Sequence, residues 1–80
     1  MKIRLLFFAV LRDIVGKSEA DVEVPDGTRA ADLWQGLRAE HAQLAGYAQP
    51  MTAVNESYVR LDAPLRDGDE VAFIPPVAGG

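Results

Sequence analysis

Between Ala30 and Ala45 the chain sets apolar residues at steps of three and four: Ala30, Leu33, Trp34, Leu37, Leu44 and Ala45. On an α-helix these positions make one stripe along one face. No other stretch of the sequence reads as a convincing helix. A single helix cannot bury such a stripe against itself, so a sheet has to cover it. Thr28 is placed to cap the helix through its hydroxyl, and Asp32 lies near the positive end of the helix dipole. Gly36 weakens the middle by up to ~1 kcal/mol relative to alanine, and Gly46 reads as the stop.

Alternating segments on both sides supply that sheet. From Lys2 to Ala9, residues Ile3, Leu5, Phe7 and Ala9 point one way, while Lys2, Arg4, Leu6 and Phe8 point the other. The odd set reads as a core face. The even set starts charged and ends apolar, so the second face is expected to be partly covered. Val10 to Gly16 reads as a short connection of about one helical turn, closed by Gly16. Glu19 to Val24 alternates again with Ala20, Val22 and Val24 inward, and Pro25-Asp26-Gly27 ends it with turn chemistry. "MTAVN" and "SYVRL", separated around Asn55-Glu56, read as a hairpin. A loop with Pro64 and an Asp67-Gly68 turn leads to a last strand, Glu70 to Ile74, with Val71 and Phe73 on one face. The order is strand, strand, helix, strand, strand, strand. It predicts an α+β domain over residues 1–74 in which a mixed sheet grips one main helix, the β-grasp (ubiquitin-like) arrangement. Residues 75–80 are expected to form an extended tail.

Composition removes most enzyme classes. Cysteine is absent, which excludes disulfides, thiolate metal sites and a nucleophilic thiol. The net charge is −4 and the only lysines are Lys2 and Lys17, so no basic stripe is available for nucleic acid. No apolar run reaches the ~18 residues that a membrane span needs. "MKIRLLFFAVLRD" lacks the longer apolar stretch and the cleavage site of a signal peptide. The cytoplasm is the expected compartment. His41, the one histidine, reads as a residue at the edge of the apolar stripe, because general-base work needs a partner and a pocket. One histidine without cysteine makes no metal site. Asp67, Asp69 and Glu70 lack calcium-loop spacing and read as a solvated turn. Gly27, Gly36 and Gly68 fall in no phosphate-cradling pattern.

The remaining reactive group is the terminal carboxylate. The chain closes on Pro75-Pro76-Val77-Ala78-Gly79-Gly80. The two prolines have no N–H, so they end sheet pairing after Ile74, and they favour a stiff, extended backbone. Residues Pro75 to Gly80 span roughly 20 Å at full stretch, enough to carry the carboxylate into another protein's cleft. Gly79 and Gly80 have no Cβ and fit a narrow channel. An ionised carboxylate is a poor electrophile and must first be activated. With no nucleotide site in the sequence, a partner has to do so.

"LLFFAVLRDIVG", "AVNESYV" and "PLRDGDEVAFIPPVAGG" together resemble the family of molybdopterin synthase small subunits over essentially the whole chain. The resemblance implies a β-grasp fold, similar in design to the thiamine-pathway sulfur carrier. It implies that a ubiquitin-activating-like adenylyltransferase, using ATP and magnesium, adenylates Gly80. A sulfur donor protein then converts the terminus to a thiocarboxylate. The tail enters the large synthase subunit and gives its sulfur to cyclic pyranopterin monophosphate. Two large and two small subunits make up the working enzyme in this family, and this chain itself binds no cofactor or metal. By position, Gly80 carries the sulfur and Gly79 is its channel-fitting neighbour. Pro75, Pro76 and Val77 lie in the partner, while Phe8, Arg12 and Ile74 align with partner contacts. Many relatives have an aromatic residue where this chain has Ile74.

Three other readings stay open on sequence alone. The chain could carry sulfur for thiamine, a tRNA base or an amino acid. It could be a modifier joined to lysines of target proteins. It could also be a plain interaction domain whose tail does no chemistry.

Overall fold

In the computed structural model, residues 1–47 and 49–74 are described. The elements run β1 (Lys2–Phe7), α1 (Ala9–Val15), β2 (Glu19–Glu23), α2 (Ala30–Glu40), a 3-10 helix (Ala42–Gly46), β3 (Met51–Val54), β4 (Ser57–Val59) and β5 (Glu70–Ile74). The strands form one mixed sheet in the order β2-β1-β5-β3-β4. β1 and β5 pair in parallel at its centre, with Phe7 opposite Phe73. All other pairs are antiparallel. This is the β-grasp arrangement that the element order predicts.

Alternation sets which residues fill the core. Ile3, Leu5 and Phe7 of β1 and Val71 and Phe73 of β5 point to the same side and are buried. Ala30, Trp34 and Leu37 of α2 meet them, joined by Leu11, Leu44 and Leu65. The rings of Trp34 and Phe73 lie 5.4 Å apart at 51°, a tilted aromatic contact at the centre of this layer. The hairpin turns on Asn55 and Glu56, which have φ of 51° and 71°. Two left-handed residues in a two-residue loop match the right-handed strand twist.

The structure departs from the sequence reading around the helices. The stripe from Ala30 to Ala45 is not one helix. α2 stops at Glu40, His41 is extended (φ −125°, ψ 92°), and a separate 3-10 helix follows. A straight helix from Ala30 to Gly46 would run ~25 Å, past strands of five or six residues that reach only ~17–20 Å. The break folds Leu44 back into the core and leaves Ala45 exposed. Thr28 does not cap α2. Its hydroxyl donates to the Pro25 carbonyl (2.7 Å) and closes the preceding turn. The first-turn N–H groups of Ala30 and Ala31 donate instead to the carbonyls of Ala63 and Leu61. Asp32 does act at that end, accepting the Arg29 N–H at 2.9 Å. Finally, Ala9 leaves the strand. With φ of 50° it turns the chain into α1, a seven-residue helix rather than a single turn. α1 closes at Gly16, whose N–H donates to the Arg12 carbonyl at 2.8 Å in the left-handed conformation, φ 88°, that glycine adopts without strain.

Candidate functional site: an exposed apolar sheet face

The parallel pairing of β1 and β5 brings the C-terminal ends of both strands to one end of the sheet. β1 ends at Phe7 beside Phe73, which places Phe8 level with Ile74. β3 runs the other way and sets Met51 opposite Ile74. By alternation, the face opposite the core carries Leu6 and Phe8, Ala72 and Ile74, Met51 and Ala53, and Tyr58 across from Ala53. Phe8, Met51 and Tyr58 are 47%, 54% and 67% exposed. No element among the described residues covers them. Single exposed apolar residues are ordinary, but a contiguous group of this kind marks an interaction surface.

The same face changes character away from that end. Arg4 lies beside Asp21 at 3.2 Å, with Glu19 and Glu70 nearby. The hydrogen bond to Asp21, followed by its charge, raises the Arg4 guanidinium above its ordinary value. One half of the face is therefore polar and internally paired, and the half at the end of β5 is apolar and unpaired.

Of the residues read from sequence as partner contacts, Phe8 and Ile74 lie together on this apolar half. Arg12 follows Phe8 by one turn of α1 and is exposed, with no carboxylate within ion-pair distance among the described residues. Pro75, Pro76, Val77, Gly79 and Gly80 lie outside the described residues. Met51, Ala53 and Tyr58 were missed as members of the face. The alternation of "MTAV" separates Met51 and Ala53 from Thr52 and Val54, but pairing with β5 and β4 decides that Met51, Ala53 and Tyr58 share the outer face.

The other polar candidates are structural. Asp67 accepts the Lys2 N–H, and Asp69 accepts the Arg66 N–H at 2.8 Å and the Asn55 side-chain amide at 2.9 Å. These carboxylates build turns. His41 is half-buried at the end of α2, with Glu40 4.0 Å from its ring. Among the described residues no three metal-ligating side chains converge, and no helix is long and apolar enough to cross a membrane.

The model of the ThiS family matches residues 5–80. The molybdopterin synthase sulfur carrier subunit of Chlamydomonas reinhardtii is 40% identical, with all of both chains covered. That of Escherichia coli is 42% identical, covering 98% of this chain and 99% of its own. A small archaeal modifier protein of Haloferax volcanii is 36% identical over the whole of both chains. Among solved structures, subunit 1 of a molybdopterin converting factor from Pyrococcus furiosus superposes with a TM-score of 0.83 at 31% identity, covering 96% of this chain and 99% of its own. A complex of subunits 1 and 2 of the Helicobacter pylori factor contains a chain with a TM-score of 0.65 at 23% identity, both fully covered, which supports the fold alone. The chain belongs to the ThiS family, among the molybdopterin synthase sulfur carrier subunits.

Proposed function

We propose that this chain is the sulfur carrier and small subunit of a molybdopterin synthase. The observation that carries the reading is the similarity to named sulfur carrier subunits along the entire chain. The fold supports it, because β5 hands the chain over at Ile74, in the middle of the exposed apolar face. A large synthase subunit seated on Phe8, Met51 and Ile74 would thus receive the segment that begins at Pro75.

The chemistry takes place at Gly80. Its carboxylate attacks the α-phosphate of ATP, held with magnesium by an adenylyltransferase, and pyrophosphate leaves. A sulfur at the sulfide level, brought by a donor protein, displaces AMP and leaves a thiocarboxylate. That sulfur attacks a carbon of cyclic pyranopterin monophosphate, the C–S bond forming as the C–O bond at that carbon breaks and its oxygen leaves, and water then cleaves the thioester link to Gly80, returning the original carboxylate. The body contributes no acid, base or metal. It binds the partner and fixes where the tail starts. Two large and two small subunits would complete the assembly, in the cytoplasm.

Removing Gly80 tests this. The truncated chain should keep its fold and its affinity for the large subunit yet support no molybdopterin synthesis. Normal synthesis by the truncated chain would rule the reading out. The similarity to a small archaeal modifier favours a second reading, attachment to lysines of other proteins. Isopeptide-linked ladders that vanish with the Gly80 deletion would establish it.

A further inference from the structure

A second surface lies on the opposite side of the sheet. Between β2 and α2 runs a groove of about 540 Å³. Ala20, Val22 and Val24 form one wall, and Leu33, Gly36 and Leu37 the other. Three features of this groove go together.

The first is an open strand edge. Among the described residues, β2 pairs only with β1. Its hydrogen-bonded partners are the even residues, as the bonds joining Phe7 to Ser18 and Val24 to Met1 show. In an antiparallel pair the alternate residues then aim their backbone groups away. The N–H and C=O groups of Glu19, Asp21 and Glu23 face outward along the groove, and none has a backbone partner among the described residues. The second feature is Gly36. It sits mid-helix at a cost of up to ~1 kcal/mol relative to alanine, although a Cβ built there would meet nothing within 4 Å. Packing within the chain does not require glycine at this position. Its missing side chain keeps the groove open.

The third feature is charge. The side chains of Glu19, Asp21 and Glu23 project from the other face of β2, and Asp32 and Glu40 stand on the helix rim, against Lys17 and His41. The molecule already shows what such an edge accepts. On its paired side, β2 takes β1, a strand that alternates apolar Ile3 and Leu5 with basic Lys2 and Arg4, set opposite Glu23 and Asp21. A second copy of β2 would instead bring acids against acids, which is unfavourable across a strand pair.

We infer that the groove docks an extended segment of a partner protein, alternating apolar and basic residues, which adds to β2 as a sixth strand. Its backbone bonds Glu19, Asp21 and Glu23; its apolar residues enter over Gly36; its basic residues face the acidic row. This is strand addition at a sheet edge. Its apolar wall lies on the sheet face opposite Phe8 and Ile74, while its acidic row borders the polar half of their face, where Arg4 already pairs with Asp21, and the proposal holds whatever chemistry the terminus performs.

The test uses the full chain and a short end-capped peptide alternating valine and lysine, followed by amide NMR. Saturable shifts and slowed hydrogen exchange are expected at Glu19, Asp21 and Glu23, with binding that weakens as salt rises. Gly36→Leu should keep or raise the melting temperature and weaken binding at least about tenfold. A peptide alternating valine and glutamate should lose at least as much, and this comparison needs no variant of the protein. Absence of saturable shifts, equal binding of the two peptides, or shifts centred on Met51 and Tyr58 would overturn the proposal. So would a dimer, seen by sedimentation, with the same amides protected.

Discussion

The two faces of the central strands both carry apolar side chains and meet different fates. On the inner face of β1 and β5, Ile3, Leu5, Phe7, Val71 and Phe73 are sealed by α2 and Trp34. On the outer face, Leu6, Phe8, Ala72 and Ile74 continue into Met51 and Tyr58 without a covering element among the described residues. Burial of the inner set stabilises the domain at about 25 cal/mol per Å² of apolar surface. Of the outer set, Ala72 is buried, but Phe8, Met51 and Tyr58 stay exposed and give the isolated chain little such gain. They form a surface suited to release that free energy when a partner arrives. One set of strands thus holds the fold together on one side and is built to assemble on the other.

The comparison breaks first at Phe73. Phe73→Ala removes a fully buried ring against Trp34 and should destabilise the domain by ~3–5 kcal/mol, read by denaturant titration of Trp34 fluorescence. Phe8→Asp on the opposite face should change stability by less than ~1 kcal/mol. It should weaken binding of the large subunit by ~2–4 kcal/mol, as truncating an interface anchor does; calorimetry with the purified subunit measures it. If Phe8→Asp unfolded the domain, the outer face would be a second core layer. Gly36→Ala should stabilise by up to ~1 kcal/mol, because the site has room for a methyl group. The smallest effect is expected at Thr52, 3% exposed on the inner side of β3, whose hydroxyl has no hydrogen-bond partner among the described residues. Thr52→Val removes an unsatisfied polar atom and keeps the shape. It should be neutral or stabilising by ~1 kcal/mol, read as an equal or higher melting temperature.

Much of the fold was legible because it rests on periodicity. The alternation of Ile3, Leu5 and Phe7, the Asn55-Glu56 turn and the strand at Val71 and Phe73 all depend on local chemistry, and all appear as read. The breaks were less legible because their causes are distant in sequence. α2 ends at Glu40, where the chain turns so that Leu44 reaches the core, and its first N–H groups are satisfied by Leu61 and Ala63 rather than by Thr28. No local signal at His41 or Thr28 carries that information. Of the candidate site, Phe8 could be singled out by its place on the even face of β1. Met51 and Tyr58 join it only through the pairing of β3 with β5 and β4, a register that the sequence of any one strand does not state.

Intact-mass and fragmentation spectrometry of the protein, purified from a cell that makes molybdopterin, tests the central claim most directly. The account predicts a fraction in which sulfur replaces one oxygen, with the change confined to Gly80 and lost when the activating enzyme is removed. A terminus that never carries sulfur in such cells, or sulfur located anywhere else in the chain, would contradict it.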